Sequence, residues 1–328
     1  MEINHLSASM RYTGRWAKKE HVAETTAPGA ILEIAFKGKA CVLLFDVNMN
    51  AEPLPHVYIQ VDGGAKTETV IDHYVRVEAN EIGNHVIKMI YKSAMEKQPR
   101  WHEPLIGKIS FLGIEADEPG VLPEDNRMII EFIGDSITEG IWVDEQRKPY
   151  NFSQKNMVFQ NDATATWAFR TAEALGIRPS IMGYGAVGIT KGGHGGVPRA
   201  IEAYPYVFDK IPAEPSGADI IVINYGANDQ RKTAEDYVSG YEEFLDLVRR
   251  INPTAKIVAL SAFCGAHSAE LGEMIKIYNE VKKENVVFID SSDWIAKQPT
   301  HPTREGHRIV SERLTQKLKE LFFNDTKQ

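Results

Sequence analysis

Residues 31–36 are apolar apart from Glu33, pass through Lys37-Gly38-Lys39, and resume an apolar run at 41–45. That pattern predicts a strand, a glycine-bearing turn and a second strand. His56–Val61 alternates polar and apolar positions and stops at Asp62-Gly63-Gly64, a strong hairpin signal. The segments 67–71, 74–77, 85–91 and 108–114 continue the two-residue period, and no helical window interrupts them. Many short strands separated by turns predict an all-β sandwich of the jelly-roll type, assigned to residues 1–122.

The pattern changes at the polar, proline-bearing stretch 117–125. Residues 128–133 form an apolar run broken only by Glu131, and 181–182, Ile220–Asn224, 257–261 and 286–289 are similar. Such runs suit parallel strands buried on both faces. Between them, 163–175, 234–250, 267–284 and Arg304–Phe322 carry helical periodicity. Tyr237, Tyr241, Phe244, Leu245 and Val248 share one face of the second helix, which Thr233 caps, with Asp236 three residues on. Val310, Leu314, Leu318 and Leu321 stripe the last helix, behind Thr303 as its cap. The order β-α-β-β-α-β-α-β-α predicts an α/β doubly wound parallel sheet of the flavodoxin type, about five strands wide, over residues 123–328.

Ligands of such a sheet bind beyond the carboxyl ends of its strands, so the residues just past each strand are the candidates. The first strand runs into Gly134-Asp135-Ser136, a tight strand-to-helix turn that can expose a hydroxyl beside backbone N–H groups, as a nucleophile with an oxyanion hole requires. The second is followed by Gly183, Gly185 and Gly188, where missing side chains let a backbone N–H approach a substrate oxygen. Past the third lies Asn228, whose amide is a good oxyanion donor. His301 precedes the final helix and has the side chain best suited to general-base work near neutrality. Each feature alone has an ordinary explanation: a solvated turn, a helix cap, a surface histidine. Four in order, each past a strand end, point to one site. Trp142, Tyr150, Tyr225 and Trp294 lie in loops at the same end and could face a sugar ring; His194, in a glycine-rich run, could line the pocket. Asp135 and Asp229 read as loop-orienting residues, and His307 as a packing or capping residue.

Charge narrows the partners. The 328 residues carry 37 Lys+Arg against 45 Asp+Glu, a net −8, which argues against nucleic acid or an anionic membrane. No 18-residue apolar run is present. Cys41 and Cys264 form no Cys-x-x-Cys pair and read as buried free thiols. His56, His73, His85 and His102 lack metal-ligand spacing, so neither a metal nor another cofactor is expected. Residues 1–30 hold no apolar signal core, so a cytoplasmic location is expected, with secretion the alternative should a leader precede them. A homo-oligomer stays open.

In these blocks the chain resembles the SGNH (GDSL-type) hydrolase family. Gly134-Asp135-Ser136-Ile137 is similar to its first block, Gly185-Ala186-Val187-Gly188 to the second, Gly226-Ala227-Asn228-Asp229 to the third and His301-Pro302 to the last. The resemblance implies Ser136 as nucleophile, the Ser136 and Gly185 amides and the Asn228 side chain as oxyanion hole, and His301 as base. A β-sandwich ahead of such a domain is similar to carbohydrate esterase family 2, which implies removal of O-acetyl groups from a small saccharide, notably at primary hydroxyls. One position departs: the family commonly has Asp three residues before the histidine, and here Gln298 stands there. A Ser136–His301 dyad is therefore expected, with Asp293 the candidate acid partner. Two alternatives remain: a short-chain lipid or thioester hydrolase, and an inert carbohydrate-binding protein motivated by Gln298. The glycines of 185–198 argue against the acyl channel that the first would need.

Overall fold

The computed structural model describes residues 1–144, 157–297 and 299–323. Its amino-terminal part consists of β1 (Glu2–Asn4), β2 (Met10–Thr13), β3 (Ala17–Lys18), β4 (Ala23–Thr25), β5 (Ile31–Phe45), β6 (His56–Val61), β7 (Thr67–Val70), β8 (Tyr74–Ser93) and β9 (Ile109–Pro119). All belong to one antiparallel network, β3-β4-β9-β5-β8-β6-β7, with β1 joined to β9 and β2 to β5. Leu32, Ile34, Phe36, Leu43, Val57, Ile87 and Met89 fill the core between its layers.

Here the structure corrects two turn assignments. Residues 31–36 and 41–45 are one 15-residue strand, β5, and Lys37-Gly38-Lys39 marks a break in pairing register rather than a hairpin. Gly38 sits at φ 129, and a Cβ there would press on the Asp117 carboxylate. The strand changes neighbours at that point: its first half pairs with β2 and its second with β9, while β8 flanks both. The segments 74–77 and 85–91 likewise merge into the 20-residue β8. Two halves that each find an outside partner gain more by continuing than by folding back, and strands this long serve both layers of the sandwich.

The second part runs β10 (Ile129–Gly134), α1 (Ser136–Glu139), α2 (Met157–Gln160), α3 (Trp167–Leu175), β11 (Arg178–Gly183), α4 (Ala200–Ala203), β12 (Tyr206–Phe208), β13 (Ile211–Pro212), β14 (Ile220–Asn224), α5 (Ala234–Ile251), β15 (Lys256–Leu260), α6 (Ser268–Lys282), β16 (Val287–Ile289) and α7 (Arg304–Phe322). Strands β11-β10-β14-β15-β16 form a parallel sheet. Ile130, Phe132, Ile220 and Val222 pack on one face, and Ile133, Ile221 and Ile223 on the other, as the apolar runs predict. The helical segment at 163–175 divides: a 3-10 turn at Ala163–Ala165, then α3, capped by Thr166. Strand order reverses around β10, so the crevice beyond its carboxyl end is where a ligand finds loops from both directions.

Between the two parts, β9 ends at Pro119 and β10 begins at Ile129. Their interiors are continuous: Trp101 and Leu105 belong to the cluster of Tyr184 and Val197, and Ile31 and Ile90 to that of Phe132 and Ile181. Glu131, the polar break in β10, is buried and satisfied across this boundary by Arg15 Nη2 at 2.9 Å, together with the Tyr204 and Ser216 hydroxyls. Among the described residues no helix is long and apolar enough to cross a membrane.

Candidate active site

Gly134 closes β10 where a side chain would strike Thr138 and the Asn224 carbonyl. The chain then enters α1 with Asp135 as its cap, the carboxylate accepting from Ile137 N–H at 2.9 Å. This fixes Ser136 as the first helical residue, and Ser136 Oγ lies 3.0 Å from His301 Nε2. His301 arrives from the other end of the sheet, two residues before Thr303, which caps α7. Both groups are buried. The Trp142 ring stands edge-on to the imidazole, centroids 5.7 Å apart, from a backbone at φ 56 that a large side chain adopts only under constraint. Burial lowers the His301 pKa; Glu96 opposes that shift and His194 adds to it. The imidazole is therefore neutral at pH 7 and able to accept a proton.

The loop after β11 adds one residue to the expected roles. The Gly185 N–H faces the Glu139 carboxylate and helps keep it ionised. Gly185 is glycine for a different reason: a Cβ would overlap the Glu96 carboxylate. Ala186, one residue on, holds φ 60, and among the described residues neither its N–H nor that of Ser136 has a hydrogen-bond partner. Ala186 therefore joins Gly185 as an amide of this loop able to face an oxyanion.

Asn228, past β14, places Nδ2 3.1 Å from Asp135 Oδ2 and 3.0 Å from the Val187 carbonyl. Its neighbour Asp229 accepts from Ile189 N–H, Thr190 N–H and the Thr190 hydroxyl. The three loops are therefore laced together by two consecutive side chains. Burial, reinforced by the charges of Asp229 and Glu96, pushes Asp135 up to about 7. His307 accepts from the Trp167 N–H at the start of α3, and burial holds it down to about 3, so it stays a neutral cap.

Other candidates fall away. Asp293 is exposed, and no hydrogen bond or ion pair joins it to His301. Tyr225 packs on Phe244 in the core, and Trp294 is buried in the cluster of Trp167 and Phe263, so neither lines an open pocket. Trp142 is also buried and backs the imidazole instead of facing solvent. Gln298 and Tyr150 lie outside the described residues. His194 does reach the site: its Nδ1 lies 3.2 Å from Glu96 Oε1, and its N–H donates to the Gly185 carbonyl at 2.8 Å.

Glu96 and Arg100 carry no sequence signal, because they lie in the β8–β9 connection, remote in sequence from every hydrolase block. Arg100 is fully buried and grips Glu139 through both guanidinium ends, at 2.5 and 3.3 Å. Its N–H donates to the Gly195 carbonyl, and a Cβ on Gly195 would strike the Gln98 carbonyl. The glycine-rich run around His194 is thus a close-packed contact with the β-domain, not a flexible surface loop.

The profile of the GDSL-like Lipase/Acylhydrolase family matches residues 132–309. The chain belongs to this family. Two curated proteins resemble this GDSL-family chain. Cellulase/esterase CelE of Acetivibrio thermocellus is 25% identical over 249 residues, 66% of this chain and 29% of the relative. The acetylxylan esterase / glucomannan deacetylase of Cellvibrio japonicus is 23% identical over 256 residues, 73% of this chain and 68% of the relative. The chain thus spans under a third of CelE. Among solved structures, a family two carbohydrate esterase from Cellvibrio japonicus superposes with TM-score 0.80 at 19% identity, covering 98% of this chain and 97% of that one. One from Clostridium thermocellum in complex with cellohexaose gives 0.78 at 20%, covering 95% and 98%. The shared fold therefore includes the β-sandwich as well as the GDSL domain.

Proposed function

We propose that this protein is a serine esterase that removes acetyl groups from a small saccharide through an acetyl-Ser136 intermediate. The observation that carries it is the 3.0 Å approach of Ser136 Oγ to His301 Nε2. His301 takes the hydroxyl proton as Oγ attacks the acetyl carbonyl carbon, and the carbonyl electron pair moves onto oxygen. The Ser136 amide, the amides of the Gly185–Ala186 loop and the Asn228 amide group receive that oxyanion, Asn228 exchanging its bond to the Val187 carbonyl for it. His301 then returns its proton to the departing sugar oxygen, and water, activated by the same imidazole, releases acetate.

Carbohydrate is favoured over lipid because the curated relatives are named for cellulose, xylan and glucomannan chemistry. The loop that would have to open into an acyl channel is also pinned by Arg100 and Gln98. A dyad already within hydrogen-bond reach argues against an inert binding protein. The test is acetate release from acetylated mono- and oligosaccharides, compared with octanoyl esters. Ser136→Ala should abolish release, and Asn228→Ala should cut turnover about a hundredfold or more. Equal rates in wild type and Ser136→Ala, or rates rising with acyl length, would overturn the proposal.

A further inference from the structure

Trp142 stands behind the base, and its own backbone would carry it away unless something held it. Its ring meets the His301 imidazole at 69°, centroids 5.7 Å apart, and the side chain is buried. Its φ of 56 lies in the left-handed region, which a residue of this size leaves when free to do so. Relaxation to a negative φ would swing the indole off the imidazole. The hold is Asn161. The Trp142 N–H donates to Asn161 Oδ1 at 2.8 Å, and Asn161 Nδ2 donates to the Ala94 carbonyl at 3.1 Å. One end of the amide accepts and the other donates, so two partners fix its orientation.

On either side of this bond the same two segments pair through backbone alone. The Asp162 N–H donates to the Gly140 carbonyl at 3.0 Å, and the Asp144 N–H to the Gln160 carbonyl at 3.1 Å. At Trp142 a side chain takes the place of the carbonyl as acceptor. The segment that carries Asn161 is in turn fastened to the end of β8. Lys92 Nζ donates to the Val158 and Phe159 carbonyls, each at 3.2 Å, and the Ser93 hydroxyl to the Val158 carbonyl at 2.5 Å. A continuous line of contacts therefore runs from β8 through Ala94, Asn161, Trp142 and His301 to Ser136.

Resting on the esterase proposal above, we propose that Asn161 is a positioning residue: by holding Trp142 in its left-handed conformation, it keeps the indole against His301 and the imidazole aimed at the Ser136 hydroxyl. Asn161 exchanges no proton. Its effect falls on the chemical step, because the imidazole must stay aligned while it takes the Ser136 proton and again while it returns that proton to the leaving oxygen. Trp142 then serves the base and is not a platform for a sugar ring.

The experiment measures kcat and KM for Asn161→Leu, Trp142→Leu and the double variant, with 4-nitrophenyl acetate and with an acetylated saccharide, beside wild type and Ser136→Ala. Asn161→Leu keeps the volume and removes both hydrogen bonds. It should lower kcat about tenfold to a hundredfold on both substrates, with KM within about twofold of wild type. Because Asn161 acts through Trp142, the double variant should lose little more than Trp142→Leu alone. An unchanged kcat in folded Asn161→Leu overturns the inference, and so do losses that multiply in the double variant. A loss confined to the saccharide and expressed in KM overturns it too, because that would make Trp142 a sugar platform. Should Asn161→Leu fail to fold, Asn161→Asp keeps an acceptor for the Trp142 amide and gives up the donor to Ala94. Its kcat should stay within about threefold of wild type even as its melting temperature falls, and a loss of about tenfold there is equally fatal. Activity in wild type and none in Ser136→Ala keeps the dyad standing whatever Asn161 does; an inactive wild type would sink the esterase proposal instead.

Discussion

Replacing Arg100 by Met tests the idea that the β-domain neutralises a charge buried in the active site. Arg100 is fully buried, and Glu139 is 1% exposed. Burial alone drives the Glu139 pKa up, and the Arg100 charge with its two hydrogen bonds opposes this; the Gly185 amide adds a smaller opposing effect. Arg100→Met removes the largest compensation and leaves the carboxylate in a site with almost no water. Breaking one side of a buried pair in this way costs about 3–5 kcal/mol, which for a protein of this size lowers the melting temperature by of the order of 10 °C. The Arg100→Met/Glu139→Gln double variant carries neither charge and keeps an acceptor for the Gly185 amide. It should recover most of the loss, because replacing a whole buried pair is often neutral.

The pH dependence gives a second handle. In Arg100→Met the folded-state pKa of Glu139 lies above its unfolded value, so the folded form holds its proton more tightly. That stabilising contribution is complete below the unfolded pKa of about 4.3 and is lost as pH rises through the folded one. The variant should therefore sit closer to wild type at pH 5 than at pH 8. Thermal melts of wild type, both single variants and the double across that range complete the cycle. A single variant losing under about 1 kcal/mol, or a double losing the sum of both singles, would show that the pair is not carrying a desolvated charge.

Two further outcomes follow from the same pocket. Asp135 is pushed up to about 7, chiefly by burial, so its contribution is complete below the ordinary Asp range and drains away as pH rises through 7. Wild type should lose melting temperature between about pH 4 and 7 relative to Asp135→Asn; parallel curves would count against a buried, protonatable Asp135. Gly185→Ala should destabilise by about 1–3 kcal/mol through overpacking against Glu96, and Glu96→Ala should partly rescue it in a melt; no cost in the single variant would remove Glu96 from that contact.

What the sequence disclosed follows from how locally each feature is determined. The parallel strands announce themselves because burial on both faces demands unbroken apolar runs, and the caps Thr233 and Thr303 because a capping oxygen must lie beside the N–H groups it serves. Ser136, Asn228 and His301 could be found because each follows a strand or precedes a helix at one end of one sheet. The continuity of β5 and β8 was hidden because a register break and a turn use the same glycine-bearing residues; only the partner strands decide between them. The aromatic candidates failed for a related reason. Tyr225 and Trp294 sit at loop positions yet point inward, and position along the chain carries no sign of direction. Gly185 has a packing duty that the sequence did not show, because a missing side chain can admit a neighbour as well as a substrate. Here the neighbour, Glu96, is 89 positions away in a different domain.

The β-sandwich is therefore better understood as part of the framework that positions the site's loops than as an appended module. The Gly134-Asp135-Ser136 turn and Glu139 place two carboxylates at the two ends of one four-residue helix, Asp135 as its cap and Glu139 as its last residue. Neither could be buried there without help. Asn228 and the Ile137 amide hold the first from within the same domain. The second is met by the charge of Arg100, which reaches it because the β8–β9 connection is clamped to Gly195 by a backbone hydrogen bond and to Tyr184 by an edge-to-face contact of Trp101. Cutting the chain at residue 122 would strip Arg100 from Glu139 and Glu96 from Gly185 together. It would leave the Gly185–Ala186 loop without the two side chains that set its position. On this argument the two parts of the chain are bound by electrostatic need as much as by their shared apolar core, and a linker between them has no reason to be flexible.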